Sequence, residues 1–132
     1  MRVAIVGSRN YPNPVEVAEF VLSLPPDTVI VTGGAHGPDA WAAHVAEVAG
    51  FPDPIVIRPD WDQFGRSAGM VRNGEIVKQA EILFAFWDGN SSGTRNSIKR
   101  AGESNKLGGV FAPTVCAAEV RKLGRRASRQ NA

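Results

Sequence analysis

The sequence has one cysteine, no long hydrophobic run and no large excess of charge of either sign. Cys116 has no second cysteine with which to pair, so an internal disulfide is excluded. No apolar stretch approaches the roughly 20 residues that a membrane-spanning helix needs, and the apolar start of the chain is too short for the core of a signal peptide. These features predict a cytoplasmic protein with no membrane partner.

The charge distribution is only weakly basic, which is not typical of a nucleic-acid-binding domain. The formal net charge is +2, and much of the positive charge lies near the C-terminus. These C-terminal cations are Arg121, Lys122, Arg125, Arg126 and Arg129. A chain of 132 residues, 43% of them hydrophobic, has the size and composition of one globular domain. We therefore predict a single domain over residues 1–124 and a mobile basic tail over residues 125–132.

Short β-branched runs alternate with longer segments of helical periodicity, which is the pattern of successive βα units. Strands are predicted at Val3–Val6, Thr28–Thr32, Pro54–Ile57, Ile82–Trp87 and Gly109–Ala112. Helices are predicted at Pro14–Leu24, Pro38–Ala49, Ser67–Ala80, Thr94–Ser104 and Ala117–Leu123. Because right-handed crossovers join parallel strands, the predicted fold is a Rossmann-like three-layer α/β sandwich with a mainly parallel five-stranded sheet.

Polar and glycine-rich loops follow the first four predicted strands, with the sequences GSRNYPNP, TGGAHGPDA, RPDWDQFGRSAG and WDGNSSGTRNS. The carboxyl ends of parallel strands lie at one edge of the sheet, and Rossmann-like folds bind their ligands there. These four loops therefore form the predicted ligand site. In the first loop, Gly7 allows a sharp turn, and Ser8 and Arg9 can donate to an anion. The alternative for Arg9 is a solvated side chain in a simple turn.

The second loop places Gly33 and Gly34 before a predicted helix start, where free N–H groups favour a negative ligand group. Asp39 in the first turn of that helix is suited either to capping the helix or to binding ribose hydroxyls. His36 lies in the same loop without the neighbours that a metal site needs. No metal or cofactor is predicted.

The fourth loop is the better candidate for binding phosphate, because the helix predicted after it begins without a carboxylate. Ser91, Ser92 and Thr94 carry hydroxyl donors, and Gly93 allows a ligand to approach the backbone closely. The helix start adds unpaired N–H groups. Asp88 precedes these residues and is included in the predicted site. The alternative is that the hydroxyls simply cap the helix.

The helix predicted from Ser67 carries a polar residue on its inward face. The inward stripe is predicted to consist of Met70, Gly74, Val77 and Ala80. Asn73 falls on the same side, and a buried amide must have a partner, either a ligand or a neighbouring loop. Arg66 and Arg72 flank this position with positive charge. Upstream, Trp61 and Phe64 are suited to stacking on a base or to packing beneath the loop.

Four motifs, GSRNY, TGGAHGPDAWAA, PDWDQFGRSAGMVRN and WDGNSSGT, together resemble the SLOG superfamily, in particular its small YspA-like members, over residues 1–112. The resemblance implies a Rossmann-like protein that binds nucleotides or nucleotide-derived ligands, and it is compatible with a homo-oligomer. The superfamily includes the Lonely Guy phosphoribohydrolases and the Smf-type DNA-processing proteins. The hydrolases use a helix arginine and a glutamate after a phosphate loop. Arg72 and SSGT are similar to these features, but Ser97 stands where the glutamate is expected.

The predicted function is therefore binding of a nucleotide, with phosphate on residues 91–94 and ribose or base against residues 33–39. If the protein is an enzyme, the predicted reaction is N-glycosidic hydrolysis. Arg72 would then stabilise phosphate or leaving-group charge, and an acidic residue, which could be Asp39, Asp88 or Glu75, would assist because the cleaved sugar becomes cationic.

Two other functions remain open from the sequence. One is a nucleotide sensor without catalysis. The other is a single-stranded nucleic-acid-binding protein that uses Arg9, Arg72, Arg95 and the basic tail. The second ranks lower at this point, because the acidic stretch PDWD borders the site and aromatic stacking positions are few.

Overall fold

The computed structural model describes residues 1–113; the predicted helix Ala117–Leu123 and the predicted basic tail lie outside this range. The strands are β1 (Arg2–Gly7), β2 (Val29–Thr32), β3 (Ile55–Val56), β4 (Ile82–Phe86) and β5 (Leu107–Phe111). The helices are α1 (Pro14–Leu22), α2 (Pro38–Val48), α3 (Trp61–Phe64), α4 (Ala68–Gln79) and α5 (Ser92–Glu103). A 3-10 turn, Gly65–Ser67, joins α3 to α4. Within residues 1–113, no helix has the length and hydropathy needed to span a membrane.

The five strands form one parallel sheet in the order β3-β2-β1-β4-β5. This arrangement confirms the predicted Rossmann-like α/β fold. The chain first builds outward from β1 to β2 and β3, and it then crosses to the other side of β1 to form β4 and β5. Because β1 and β4 are neighbours but not consecutive, the strand order reverses between them. This topological switch point is where open α/β sheets bind ligands.

Each face of the sheet has its own apolar core. We call the face covered by α1 and α2 the first face, and the face covered by α4 and α5 the second face. Along β1, Val3 and Ile5 point to the first face, while Ala4 and Val6 point to the second. A strand that is buried on both faces reads as a continuous hydrophobic run, which explains the apolar stretch at the start of the sequence.

The helix starts follow from prolines and side-chain caps. Pro14 and Pro38 occupy the first turns of α1 and α2, where a missing N–H costs little. The predicted start of α5 at Thr94 was wrong by two residues. The Ser91 hydroxyl accepts a hydrogen bond from the Thr94 N–H at 3.3 Å, so Ser91 is the N-cap. The sequence pattern also missed α3, which has four exposed residues and therefore no apolar periodicity.

The inward stripe of α4 differs from the predicted one in its first turn. Met70 is 52% exposed, so it does not belong to the buried stripe. Further along the helix, Ile76, Val77 and Ala80 are buried against the second face. Asn73 is 6% exposed and lies on the buried side, so this polar side chain sits at the packed surface of the helix.

Candidate functional site

The loops that follow β1, β2 and β4 converge at the carboxyl edge of the sheet, together with α4. A cavity of about 180 Å³ opens at the switch point between β1 and β4, and we call it the switch-point cavity. The predicted site residues that line it are Gly7, Arg9, Asp39, Arg72, Asn73, Ser91, Gly93 and Thr94. The cavity therefore brings together residues from the end of β1, the region between β2 and α2, the helix α4 and the start of α5.

A larger opening of about 480 Å³ adjoins the first, and we call it the outer cavity. Arg9, Ala35 and Arg72 line both cavities. Gly33 and Gly34 line only the outer cavity, beside His36, Pro59 and Trp61. The two cavities are thus parts of one surface depression.

Arg58 also lines the outer cavity, and sequence reasoning missed it. Its Nη1 atom donates to the Gly34 carbonyl oxygen at 3.4 Å. The signal for it was its place directly after β3, because the residues that follow a parallel strand reach the carboxyl edge. Arg66, in contrast, is exposed on the 3-10 turn and lines neither cavity. Ser92 is exposed in the first turn of α5.

Asp39 joins the ends of β1 and β2 through its buried carboxylate. Its Oδ1 accepts a hydrogen bond from the Gly7 N–H at 3.1 Å, and its Oδ2 accepts one from the Gly33 N–H at 2.7 Å. The N-cap of α2 is Gly37, which makes no side-chain hydrogen bond. The Asp39 carboxylate thus binds N–H groups at the ends of β1 and β2, and it also interacts with its own N–H in the first turn of α2.

Burial raises the pKa of the Asp39 carboxyl to about 6. Four groups act in the opposite direction: the Gly33 N–H, the positive charge of Arg72, the Gly7 N–H and the N–H of Asp39 itself. Desolvation outweighs them, because the ionised carboxylate has been removed from water almost completely. The switch-point cavity thus contains an acid that titrates much closer to neutrality than an ordinary aspartate.

Arg72 and Asn73 continue the connection from β2 to α5. Arg72 donates from Nη1 to the Gly33 carbonyl oxygen at 2.7 Å and from Nε to Asn73 Oδ1 at 3.0 Å. Asn73 donates from Nδ2 to the Gly93 carbonyl oxygen and to Asn96 Oδ1, both at 3.2 Å. The partners of the buried amide are therefore a neighbouring arginine and the start of α5, which is the structural alternative considered from the sequence.

Hydroxyl groups connect the start of α5 back to β1. Ser8 Oγ donates to Thr94 Oγ1 at 3.3 Å, and Thr94 Oγ1 donates to Ser91 Oγ at 3.2 Å. The Asp88 N–H in turn donates to Ser8 Oγ at 3.1 Å. These contacts close a circle around the switch-point cavity, which we call the hydrogen-bonded ring. Its members are Gly7, Ser8, Gly33, Asp39, Arg72, Asn73, Gly93 and Thr94.

The glycines of the ring differ in what surrounds them. A Cβ atom on Gly33 would lie 2.6 Å from Arg72 Nη1, and one on Gly7 would lie 2.7 Å from the Phe86 carbonyl oxygen. A side chain at Gly7 would therefore clash with the backbone, whereas one at Gly33 would push the end of the Arg72 side chain away from its hydrogen bond with the Gly33 carbonyl oxygen. A Cβ atom on Gly93 would meet no atom within 4 Å. The surface of α5 at Gly93 is open, so the packing of the described residues does not explain the glycine there.

The Asp88 carboxylate is used within its own loop. The N–H groups of Ser91 and Asn90 donate to it at 2.9 and 2.8 Å, and they lower the pKa of the carboxyl below its usual value. Next to this loop, the guanidinium of Arg95 lies over the Trp87 ring, 5.5 Å from its centre. The first turn of α5 itself contains no acidic residue, as the sequence indicated.

Ser97 occupies the position at which the related hydrolases carry glutamate. It is buried, lines the switch-point cavity and donates from Oγ to the Gly93 carbonyl oxygen at 3.4 Å. Among the described residues that line this cavity, Asp39 is the one carboxylate, and backbone N–H groups bind both of its oxygens. The arrangement is better suited to holding an anion than to stabilising a cationic sugar.

Known proteins that are similar to this chain include one relative in sequence and one in structure. No protein-family model matches the chain. The sequence is 35% identical to the gene 61 protein of Mycobacterium phage D29 over 109 residues, which is 76% of this chain and 87% of that protein. The structure is similar to DNA processing protein A from Helicobacter pylori, which is described as having a unique single-stranded DNA binding mode.

This structural likeness has a TM-score of 0.59 and covers 94% of this chain and 73% of the other. At 21% sequence identity, the likeness shows a similar fold and nothing more specific. It agrees with the predicted Rossmann-like fold. The SLOG resemblance and the narrower YspA-like assignment stay predictions.

The raised pKa of Asp39 predicts the sign of a pH effect on stability. The folded protein binds this proton more tightly than the unfolded chain, so the stability from Asp39 is greatest below pH 3.8 and is lost as the pH rises to about 6. Replacing the titrating group, as in Asp39→Asn, removes this change. The unfolding free energy of wild type minus that of the variant should therefore fall by ~3 kcal/mol across this range. Urea unfolding followed by tryptophan fluorescence measures it.

Asp88→Asn is the matched control, because the pKa of the Asp88 carboxyl is shifted in the opposite direction. The stability that Asp88 contributes is present above its ordinary pKa and is lost as the pH falls below it. The difference between wild type and this variant should therefore grow, not shrink, as the pH is raised from the acid side. If the Asp39 and Asp88 variants show the same sign, the assignment of a raised pKa to Asp39 is wrong.

Proposed function

The chain belongs to the family of the gene 61 protein of Mycobacterium phage D29, and we propose that it binds single-stranded nucleic acid at the carboxyl edge of its sheet. The observation that carries the proposal is the composition of the outer cavity. Arg9, Arg58 and Arg72 line it together with Trp61, and no carboxylate is among the described residues that do so.

These residue types match the two requirements of binding a single strand. Arginine side chains neutralise backbone phosphates, and an exposed aromatic ring stacks on a base whatever its identity. Trp61 is 59% exposed, so its ring is available for such stacking. The proposed strand therefore lies across the outer cavity, with its phosphates near the arginines and a base on Trp61.

The acidic stretch PDWD is a weaker objection than the sequence suggested. Asp60 accepts a hydrogen bond from the Gln63 N–H at 3.1 Å and is the N-cap of α3. Its charge faces the start of that short helix, which is a favourable position for a carboxylate. Asp60 thus has a local structural use, and neither Asp60 nor Asp62 is among the described residues that line the outer cavity.

The switch-point cavity by itself is too small to enclose a whole nucleotide, so a ligand held there must extend into the outer cavity. Pockets that enclose small ligands typically measure about 300–1,000 Å³, and this cavity measures about 180 Å³. A phosphate and part of its sugar fit such a volume, but the base does not. The open first turn of α5 at Gly93 and the neighbouring arginines Arg9 and Arg72 suit the phosphate. The base then lies outside, in the direction of Trp61.

The fold likeness to a single-stranded DNA-binding protein from Helicobacter pylori is further support for this proposal. A fold by itself does not determine a ligand. The proposal therefore depends on the arginines and Trp61 of this chain, and the likeness makes a nucleic-acid partner the first one to test.

Fluorescence anisotropy with a labelled oligothymidylate of roughly 20 nucleotides tests the binding. Affinity should fall steeply with salt between about 50 and 200 mM. Arg58→Ala should weaken binding several-fold and make the logarithmic salt dependence shallower by about 0.7, because one phosphate contact is lost. Arg2→Ala is the matched control, since Arg2 is exposed at the amino end of β1.

The proposal is wrong if the wild-type protein does not bind the oligonucleotide at low salt. It is equally wrong about the surface if Arg58→Ala and Arg2→Ala weaken binding to the same extent. Equal losses would indicate a diffuse attraction to the whole protein and not a strand held at the carboxyl edge.

Gly93→Ala tests whether the ligand reaches the start of α5. The added methyl group meets no protein atom within 4 Å, so folding stability should be unchanged or slightly higher. Binding should fall several-fold, because the methyl group occupies the space through which a phosphate approaches the backbone. Gly102→Ala is the control: it lies on the same helix with equal free space and lines neither cavity. Thermal melts measure the stability of both variants, and anisotropy measures their affinity for the oligonucleotide. Equal affinities would show that the ligand does not reach the start of α5.

A second candidate function is nucleotide binding, with or without N-glycosidic hydrolysis. The observation that favours it is the hydrogen-bonded ring around the switch-point cavity, with one buried acid whose pKa is about 6. Such a group is suited to proton transfer near neutral pH. A panel of nucleotides should then raise the melting temperature, and a hydrolase would release free base detectable by chromatography. Stabilisation without base release identifies a sensor, and the absence of both excludes this candidate.

A further inference from the structure

A third cavity, of about 240 Å³, lies between α3 and α4, and we call it the α3–α4 pocket. Four of its lining residues occupy positions i, i+3, i+4 and i+7 of α4, so they form one stripe of that helix. They are Ala68, Val71, Arg72 and Glu75. Val71 is 40% exposed, so the apolar surface of this stripe is not used up by the core.

The α3–α4 pocket has apolar walls and a volume suited to one aromatic ring. Ile57, Phe64 and Val71 contribute these walls, and Phe64 is itself 38% exposed. A cavity of roughly 150 Å³ is enough to hold benzene, so this pocket has room for a pyrimidine ring with its substituents. Sites that enclose whole small ligands start at about 300 Å³. The part of a nucleotide that fits the pocket is therefore the base alone.

The α3–α4 pocket adjoins the outer cavity, because Arg58 and Arg72 line both. On α3, Trp61 lines the outer cavity, and Phe64, three residues later, lines the pocket. A strand that crosses the outer cavity with one base on Trp61 thus has a neighbouring base within reach of the pocket.

Two carboxylates line the pocket, and each uses one oxygen locally. Glu75 Oε1 accepts a hydrogen bond from Gln79 Nε2 at 3.0 Å, and Asp60 Oδ1 accepts one from the Gln63 N–H at 3.1 Å. The second oxygen of each carboxylate makes no hydrogen bond with any residue in the range 1–113. The pocket therefore combines apolar walls with free acceptors, and its arginines supply donors.

We propose that the α3–α4 pocket binds one base of the strand and favours cytosine over thymine. The proposal rests on the proposed function, since the strand must already lie at the carboxyl edge. Carboxylates recognise cytosine by accepting a hydrogen bond from its amino group, and Glu75 takes this role. The ring nitrogen and the carbonyl oxygen of cytosine accept from the arginines. Thymine has a carbonyl oxygen in place of the amino group, and two acceptors would then face each other.

Fluorescence anisotropy with labelled oligodeoxycytidylate and oligothymidylate of equal length tests the preference, because the two strands share a backbone and a ring size. The wild-type protein should bind the cytosine strand about 5- to 10-fold more tightly. Glu75→Gln keeps the shape of the side chain, but its amide also donates to a carbonyl oxygen. The ratio of the two affinities should therefore fall to about 1 in this variant, while the salt dependence stays the same.

Glu47→Gln is the matched control, because it removes the same charge from an exposed position of α2 that lines none of the three cavities. It should keep the wild-type ratio.

Val71→Phe tests the pocket itself. The larger side chain starts from a partly exposed position, so it fills the pocket without entering the core, and a thermal melt should be nearly unchanged. The preference for cytosine should be lost, while oligothymidylate still binds. Met70→Phe is the control, since Met70 is the exposed neighbour on α4 and lines none of the three cavities.

The proposal is overturned if the wild-type protein binds both strands equally, or if Glu75→Gln keeps the same ratio as Glu47→Gln. It is also overturned if Val71→Phe retains the preference for cytosine. Each of these results leaves the proposed function intact, because oligothymidylate is still bound. If neither strand binds at low salt, the proposed function and this inference are both wrong.

Discussion

The buried carboxylate of Asp39 is the interaction on which the rest of the site depends. Its two oxygens accept hydrogen bonds from the Gly7 and Gly33 N–H groups and thereby connect the ends of β1 and β2. The carbonyl of the same Gly33 then holds Arg72. An ionised carboxylate is costly to bury, which its raised pKa shows, but loss of the carboxylate would leave two buried N–H groups unpaired. The carboxyl edge is thus held together by hydrogen bonds to a carboxylate whose ionised form is disfavoured by burial.

This dependence limits the chemistry that the ring can perform. Most of its polar groups are already paired with one another: Asn73 with Gly93, Ser8 with Thr94, and Asp39 with two backbone donors. Groups that are fixed in this way preorganise a binding site, because little conformational entropy is lost when a ligand arrives. The same pairing leaves no free carboxylate beside a bound sugar among the described residues of the cavity. A site of this kind supports binding more directly than bond cleavage.

The sequence predicted the fold and the convergence of the loops, because both follow from the alternation of buried strands with helices. It did not predict the partners of Asp39, which are separated from it by 32 and 6 residues and meet it only in the folded sheet. Arg58 was not singled out, although it directly follows the strand predicted at Pro54–Ile57, because its contact with the Gly34 carbonyl oxygen joins residues that are 24 positions apart. The start of α5 was misplaced because two adjacent serines and a threonine can all cap a helix, and only the hydrogen bond of Ser91 decides among them.

In the proposed function, the two adjoining cavities would divide the recognition of the ligand. The switch-point cavity is small and bordered by the hydrogen-bonded ring, so it would select a ligand group by size and charge. The outer cavity is wider and presents Arg9, Arg58 and the exposed Trp61, so it would accept varied chemical groups. A ligand that combines a constant charged unit with a variable flat one fits this division, and a nucleic-acid strand repeats that combination at every residue. Because Arg72 lines both cavities while it also belongs to the ring, the rigid and the adaptable halves of the surface share one fixed point.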